Sequence, residues 1–528
     1  MRILVAEQLA AEGLAVLRER HDVDERIGLP RDEYVAIMPD YDALMVRSQV
    51  QVDADMIAAG PRLAVIGRAG VGVDNVDLEA ATRAGVTVVN APTGNTIAAA
   101  EHTLALLYAL ARNVPAAEAS LRRGEWKRSR FTGVELRGKT LGLVGFGKIG
   151  QAVAMRARAM EMPLLVADPF VSAEQAANYD AELVGLDDLL ARADVVSLHV
   201  PKTRTTAGLI GAAELARMKP TAFLLNVARG GVVDEAALAE ALAAGTIAGA
   251  AVDVFAAEPP VGSPLLDAPH AVLTPHLGAS TAEAQVRVAV EAAQQVVDVL
   301  EGRPARYAVN APLLAPETAR AIAPYLPLAR TMGSFLAQYV RGGVDALSVE
   351  VSGELAEHDT SQVVAAALCG LLEEATAERV NLVNAGTIAR MRGIAVTETR
   401  TADAGAYATL VTLRAGTGDR SARIGGTMAA GESRIVRIDD YRLDMEPAPS
   451  MLVTRHRDRP GMVGRIGALL GAADVNISAM TLARSAPRAD ALMLLALDDA
   501  VPDDVAETIR GLDSILDVWV MRFGADRA

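Results

Sequence analysis

The sequence predicts an α/β protein: two doubly wound domains with parallel sheets, then an α+β module, then a ferredoxin-like module at the end of the chain. Three observations carry that prediction. Short apolar runs rich in Val, Ile, Leu and Ala alternate with helical patterns through the first half, as they do where strands are buried on both faces of a parallel sheet. A second such series opens at "TLGLVGFGKIG", where a strand-like run enters a glycine loop that begins a helix. Residues 451–528 read strand–helix–strand–strand–helix–strand, the ferredoxin-like order. A length of 528 residues suits three or four domains.

In the first series the strands are "RILVAE", "ALMVRS", "LAVIGRAG" and "VTVVNAP". The helical pattern "NTIAAAEHTLALLYALARNVPAAEASLRRGEW" follows, with a long helix over residues 95–112. The second series runs "TLGLVGF", "PLLVAD", "DVVSLHV", "AFLLNVA", "GAAVDVF" and "AVLTPHL". Two consecutive series imply two domains with a cleft between them. Residues 280–303 read as one helix, and the Pro-rich "PARYAVNAPLLAPE" ends the catalytic part. The segment from residue 317 to 450 has one amphipathic helix, "LPLARTMGSFLAQYV", and alternating stretches such as "ALSVEVSG" and "AYATLVTLRA". In the final module, Asp458-Arg459-Pro460-Gly461 turns the first strand into the first helix.

Composition narrows the function classes. A net charge of −15 disfavours broad contact with nucleic acid or anionic membranes, while leaving room for a local basic pocket. The lone Cys369, in the helical "AAALCGLL", excludes an internal disulfide and any cysteine-built metal cluster; a buried, inert thiol and no metal are expected. The N-terminus reads as a strand entering a helix, not as a leader, and no run of about 18 apolar residues suggests a membrane span, so the cytoplasm is expected.

The glycine loop, Gly145-x-Gly147-x-x-Gly150, has the strand–loop–helix–strand context of a dinucleotide-binding Rossmann unit. Gly145 permits the tight turn, Gly147 a close backbone approach to pyrophosphate, and Gly150 close packing of helix on strand. Asp168, at the end of the next strand, is placed to accept from an adenosine ribose; a 2′-phosphate there would meet a like charge, which favours NAD(H) over NADP(H). The structural alternative is a glycine-rich turn with a solvated acidic cap.

Three residues sit at predicted strand ends, where parallel sheets place ligands: Arg229 in "NVARGG", Glu258 in "DVFAAEPP" and His276 in "LTPHLGAS". Hydride transfer to a 2-keto acid needs a proton donor for the carbonyl oxygen, and histidine gives and retakes a proton near neutral pH. A neighbouring carboxylate orients the ring and favours its charged form. An arginine clamps the substrate carboxylate and polarises the carbonyl. Singly, each has a bland reading as a turn or loop residue; together, downstream of a nucleotide loop, they compose a hydride-transfer site.

With "GRAGVGVDNVD" and "NAPTGNTIAAAEHTLALLYALAR", the segments "NVARGGVVDEAALAEAL", "AAVDVFAAEPP" and "TPHLGAST" make the chain resemble the NAD-dependent D-2-hydroxyacid dehydrogenases over about residues 1–310. The resemblance implies Arg229 as substrate binder, Glu258 as partner of the histidine and His276 as acid/base. It implies cofactor contacts at Val71, Gly145, Gly147, Lys148, Ile149, Gly150, Asp168, Val200, Ala228, Asp253 and Gly278, several through the backbone. Lys148 stands where the family usually has Arg. It further implies a substrate-binding domain of residues 1–98 and 283–316, an NAD-binding domain of 99–282, an intervening domain of 317–450 and a regulatory domain of 451–528.

Arg47, Arg68 and Arg128 suggest an anion pocket in an otherwise acidic protein. The chain most resembles the family branch that oxidises D-3-phosphoglycerate to 3-phosphohydroxypyruvate, the opening step of phosphorylated L-serine biosynthesis. By that resemblance Arg47, Ser48 and Arg68 bind substrate phosphate or carboxylate, Gly70 and Gly72 offer backbone N–H groups, and Arg128 comes from a neighbouring subunit of a homo-oligomer, a tetramer. Some relatives also reduce 2-oxoglutarate. The final module resembles an ACT domain, in which His456, Asp458 and Asn476 would bind serine as effector between two such domains; the alternative for these residues is ordinary turn capping. The middle module resembles the extra substrate-sensing domain of the longest form of this branch; Arg434 and Arg437 are its candidate anion contacts, and exposed strand arginines are the favoured alternative. Two other functions stay open: a dehydrogenase acting on glyoxylate or hydroxypyruvate, and a non-catalytic NAD(H)-sensing protein.

Overall fold

The computed structural model describes residues 1–303, 305–311, 316–340, 343–373, 375–376, 379–417 and 420–523. The first apolar series forms a five-stranded, all-parallel sheet from β1 (Arg2–Val5), β2 (Asp22–Glu25), β3 (Ala43–Val46), β4 (Val65–Arg68) and β5 (Thr87–Asn90), in the order β2-β1-β3-β4-β5. Four strands are the predicted runs. The fifth, β2, is the acidic "DVDE" at the sheet edge, half solvated and therefore without an apolar signature. The order reverses between β1 and β3, which opens a crevice at their carboxyl ends.

The second series forms a seven-stranded parallel sheet: β6 (Leu141–Val144), β7 (Leu164–Ala167), β8 (Ala181–Leu183), β9 (Val195–Leu198), β10 (Phe223–Asn226), β11 (Gly249–Val252) and β12 (Ala271–Leu273). Its order, β12-β11-β10-β9-β6-β7-β8, reverses between β6 and β9. The short edge strand β8 was not foreseen. The long helical pattern divides at Asn113, whose positive φ of 54° ends the helix Thr96–Ala111 before Val114–Arg122 begins. The helix Ala282–Leu300 returns to the first sheet, where Val288, Ala289, Ala292, Ala293 and Val296 join Ile3, Val5, Met45 and Val65 in one core. Of the Pro-rich stretch after it, residues 304 and 312–315 lie outside the described residues.

The third unit is a six-stranded sheet, order β14-β13-β15-β16-β17-β18, made of β13 (Ala346–Gly353), β14 (Ala395–Thr401), β15 (Thr409–Thr417), β16 (Arg420–Ala429), β17 (Glu432–Ile438) and β18 (Tyr441–Met445). Only β13 and β14 pair in parallel. The helices Tyr325–Tyr339 and Ser361–Leu372 pack into its core, and Cys369 is buried there, its thiol pushed up to about 12 by desolvation, which leaves it unreactive. This unit docks on the first sheet through side-chain amides: Asn381 Nδ2 donates to the Gly85 carbonyl at 2.5 Å and Asn384 Nδ2 to that of Arg83 at 3.3 Å.

The last unit comprises β19 (Ser450–Arg457), β20 (Ile477–Arg484), β21 (Asp490–Leu497) and β22 (Ile515–Arg522), antiparallel in the order β20-β21-β19-β22, with helices Met462–Ala472 and Asp503–Arg510. That is the ferredoxin-like arrangement. One sheet face packs Leu452, Met493 and Leu495 against Ile466, Leu470 and Ile509 of the helices. The other places Met451, Val453, Leu492 and Met521 in the core of the third unit. Among the described residues no helix is long and apolar enough to cross a membrane.

Candidate active site

The glycine loop lies at the switch point of the second sheet. Gly145 follows β6 with φ 92°, and a Cβ there would stand 2.6 Å from the His199 carbonyl oxygen. A Cβ at Gly150 would stand 2.5 Å from the Gly145 carbonyl, so the helix Lys148–Ala159 can approach β6 only without a side chain there. At Gly147, which caps that helix, a Cβ would meet open space. Close packing behind and free space in front, with the unpaired first N–H groups of a helix, fit a pyrophosphate. Asp168 follows β7 and is tied to the loop: Oδ2 accepts from the Phe146 N–H at 2.8 Å and Oδ1 from that of Phe170 at 2.9 Å. Each oxygen retains a lone pair for a ribose hydroxyl.

The other cofactor-side residues line the same region. Val200 touches the Gly145 position, and the Ala228 N–H donates to Asn226 Oδ1 at 3.2 Å. Val71 presents a carbonyl that accepts from Asn90 Nδ2 at 2.5 Å. Ile149 packs into the core beneath the loop, whereas Lys148 is exposed, its Nζ 5.8 Å from the ring centre of Tyr307.

His276 sits in the loop after β12 with φ 54°, its N–H donating to the Asp253 carbonyl at 2.8 Å. Its Nδ1 is 2.7 Å from Glu258 Oε2, and Glu258 Oε1 in turn accepts from the Phe255 N–H at 3.1 Å. The carboxylate therefore fixes ring orientation and tautomer and offers a counter-charge to a protonated ring. Nε2 has no protein partner among the described residues, which suits the nitrogen that meets substrate. Asp253, expected among the cofactor contacts, turns its side chain into the protein. Its carboxylate is wholly buried and accepts from Thr274 Oγ1 (2.6 Å), Leu277 N–H (2.8 Å) and Gly278 N–H (2.8 Å), with His102 Nε2 at 3.2 Å. Burial alone would raise its pKa; the His102, Thr274, Leu277 and Gly278 hydrogen bonds outweigh that and hold it below the usual carboxylate range. Its side chain builds the loop that carries His276.

Arg229 follows β10. Its Nε lies 3.4 Å from Asp74 Oδ2, its Nη1 donates to the Ala228 carbonyl at 2.8 Å, and a Cβ at Gly72 would stand 2.5 Å from its Nη2. Arg68, at the end of β4, lies across Gly70, where a Cβ would be 1.5 Å from Nη1. Its Nε is buried without a hydrogen-bond partner. Burial first, then the like charges of Arg229 and Arg47, pull its pKa below the ordinary guanidinium range, with Asp74 and Glu7 opposing the shift. Converging arginines with an unsatisfied donor are what an anionic ligand completes. Arg47 and the exposed Ser48 stand on the loop after β3. Arg128 is exposed on the turn Arg128–Phe131 and has no hydrogen bond or ion pair among the described residues.

Sequence reasoning missed three residues here. His102 braces Asp253 from the helix Thr96–Ala111; its spacing of three from Ala99 and four from Leu106, both buried, was the available signal. Glu7 and Asn75 carried none, because each acts on a distant loop.

In the last unit the three expected effector residues differ in exposure. His456 is 1% exposed and lies between sheet and helices, because strand alternation turns it to the same face as Leu452 and Thr454. Burial lowers its pKa and keeps the ring neutral. Asp458 Oδ2 accepts from Arg484 Nη1 at 3.1 Å and from the Arg488 N–H at 3.0 Å. Asn476 is exposed, its Nδ2 donating to Asp498 Oδ2 at 2.6 Å. Asn476 precedes β20 while Asp458 grips Arg484 at its far end, roughly 25 Å away at the rise of a strand. One small ligand can meet both only across two copies of the chain.

Comparison with known proteins agrees with this architecture. Residues 104–278 match the family profile described as D-isomer specific 2-hydroxyacid dehydrogenase, NAD binding domain. Residues 321–439 match the D-3-phosphoglycerate dehydrogenase intervening domain, and residues 450–514 the ACT domain. A D-3-phosphoglycerate dehydrogenase of Synechocystis is 48% identical over 523 residues, covering 99% of this chain and 94% of that one. One from Archaeoglobus fulgidus is 42% identical, covering 98% and 99%. Among solved structures, a Thermus thermophilus protein superposes with a TM-score of 0.55 at 40% identity, covering 58% of this chain and 100% of its own. An NAD-dependent formate dehydrogenase from Staphylococcus aureus, in complex with NAD, superposes with a TM-score of 0.53 at 30% identity, over 58% and 97%. The chain therefore belongs to the D-3-phosphoglycerate dehydrogenase family, with the NAD-binding, intervening and ACT domains in one polypeptide.

Proposed function

We propose that the chain oxidises D-3-phosphoglycerate to 3-phosphohydroxypyruvate, the opening step of phosphorylated L-serine synthesis, and runs the reverse reduction in vitro. The observation that carries this reading is the ordered pair His276–Glu258, 2.7 Å apart, at the same end of the second sheet as the fitted glycine loop and Arg229. Bound NAD⁺ supplies the hydride acceptor. His276 Nε2 takes the proton of the substrate hydroxyl, while Glu258 holds the ring and balances its charge. Arg229 binds the substrate carboxylate, aided by the N–H groups around Gly70 and Gly72. Arg47, Ser48 and Arg68 hold the phosphate end, and Arg128 is supplied by a neighbouring subunit. The cofactor lies along Val71, Gly145 to Gly150, Asp168, Val200, Ala228 and the loop that Asp253 and Gly278 hold. We place the enzyme in the cytoplasm as a homotetramer that also accepts 2-oxoglutarate.

The test is NADH oxidation by purified protein with 3-phosphohydroxypyruvate. Turnover is expected; NADH binding without turnover of this or any other 2-keto acid sinks the enzyme reading, and turnover of glyoxylate alone moves the chain to another substrate. Repeating the assay with L-serine tests the effector. Inhibition is expected, relieved in Asp458→Ala, where the grip on Arg484 and the loop at Arg488 is lost; insensitivity up to millimolar serine removes the regulatory role alone.

Cofactor choice is tested at Asp168. Asp168→Ala is expected to raise the KM for NADH about tenfold or more, since the ribose acceptor and the tie to Phe146 are lost together. An unchanged KM with NADPH still refused would show that Asp168 does not read the ribose.

A further inference from the structure

The proposed reaction needs Arg47 held at one end of the substrate, yet Arg47 stands on residues 47–51, which have no regular structure of their own. Their order comes from Glu7, which follows β1 and is 6% exposed. Glu7 Oε1 accepts from the N–H groups of Arg47 (2.9 Å), Gln49 (3.1 Å) and Val50 (3.0 Å), and Oε2 accepts from Gln49 (3.2 Å). Consecutive N–H groups converging on one oxyanion are how a loop binds a ligand phosphate or carboxylate. Here the protein's own carboxylate fills that place. From the other side Asn75, also buried, donates from Nδ2 to the carbonyls of Arg47 (3.1 Å) and Val50 (2.7 Å). Backbone bonds from Val52 N–H to the Asn75 carbonyl (2.8 Å) and from Asp77 N–H to the Val52 carbonyl (2.9 Å) zip this loop to the one that bears Asp74. Clefts of about 580 and 420 Å³ both reach Arg47, while Val50 at the other end of the loop packs on the core beside the first sheet.

We propose that Glu7 is a positioning residue for the anionic end of the substrate. By occupying the N–H groups of the 47–50 loop it turns the side chains of Arg47 and Ser48, rather than the backbone, toward the phosphate. Through Asn75 it sets the same loop against the one whose Asp74 meets Arg229. The role rests on the reaction proposed above. It also accounts for a carboxylate beside a cationic pocket: Glu7 opposes the lowering of the Arg68 pKa that burial and the like charges of Arg229 and Arg47 produce.

A brace that only stabilised the domain would, once removed, lower the active fraction and leave the KM of each substrate alone. A positioning residue splits the two KM values. In Glu7→Ala the KM for 3-phosphohydroxypyruvate is expected to rise about tenfold or more, with the KM for NADH and kcat within about twofold, as displacing a binding group by about 1 Å does. Hydrogen exchange in a peptide covering residues 44–52 is expected to accelerate. Glu7→Asp keeps the charge but draws the loop in by one methylene; it covers the case in which the alanine variant does not fold, with an expected KM rise of about threefold or more. Glu7→Gln keeps an acceptor in place of Oε1 and is expected to bring the KM back to within about threefold of wild type. An unchanged keto-acid KM in Glu7→Asp and in Glu7→Ala overturns the proposal, as does an equal rise in both KM values. Wild-type protein that fails to turn over the phosphorylated keto acid overturns the reaction and this role with it; a competent wild type with unmoved variants overturns the role of Glu7 alone.

Discussion

Replacing His276 with Asn is expected to lower kcat by about 10²–10⁴, the range that a positioned acid/base group supplies. The structure says where the loss must fall. Asn can still donate an amide N–H to Glu258, and the loop that carries position 276 is held by Asp253 through Leu277 and Gly278, not by the imidazole. Folding and NADH binding should therefore survive, with the KM for NADH within about threefold of wild type and the loss confined to turnover. Stopped-flow NADH oxidation with 3-phosphohydroxypyruvate reads this directly. A variant that turns over near the wild-type rate would move the proton to another group and leave the 2.7 Å contact with Glu258 as a loop brace.

The second large effect is expected at Arg229. Arg229→Lys keeps a positive charge but loses the planar fork, and a single ammonium cannot pair with both oxygens of a carboxylate. It also gives up the bond to the Ala228 carbonyl and the approach to Asp74 that hold the guanidinium in the cleft. A fall in kcat/KM of about 10²–10³ is expected, equal to about 3–4 kcal/mol of transition-state stabilisation, with NADH binding unchanged. Equilibrium titration of NADH separates the two: weakened NADH binding in step with the activity would mean that the substitution had disturbed the cofactor side instead. Kinetics within threefold of wild type would remove Arg229 from the substrate.

The strands of both parallel sheets were legible because burial on two faces leaves unbroken apolar runs, as in β3 and β6. The strands that escaped are those the physics leaves unmarked. Two lie at sheet edges and are acidic or three residues long, β2 and β8, and β14 is exposed along nearly its whole length. The residues proposed to do chemistry at strand ends, Arg229, Glu258 and His276, could be found because each sits in a short window with its strand. Glu7 could not, and His102 only as a residue on a buried helix face, since their partners lie 40 and 151 residues away and only the folded chain brings them together. The burial of His456 was hidden for another reason: a turn motif names the residues near a strand end and does not say which face of the sheet each one takes.

The amide contacts of Asn381 and Asn384 with the carbonyls of Gly85 and Arg83 bear on how the four units are coupled. They anchor the substrate-side sheet to the third unit, whose core is continuous with the ACT sheet. Three of the four sheets are thus joined by direct contacts, and the helices Thr96–Ala111 and Ala282–Leu300 carry the chain between the first sheet and the second. A ligand held at the last unit would therefore have continuous packing toward the first sheet that does not cross the nucleotide-binding domain.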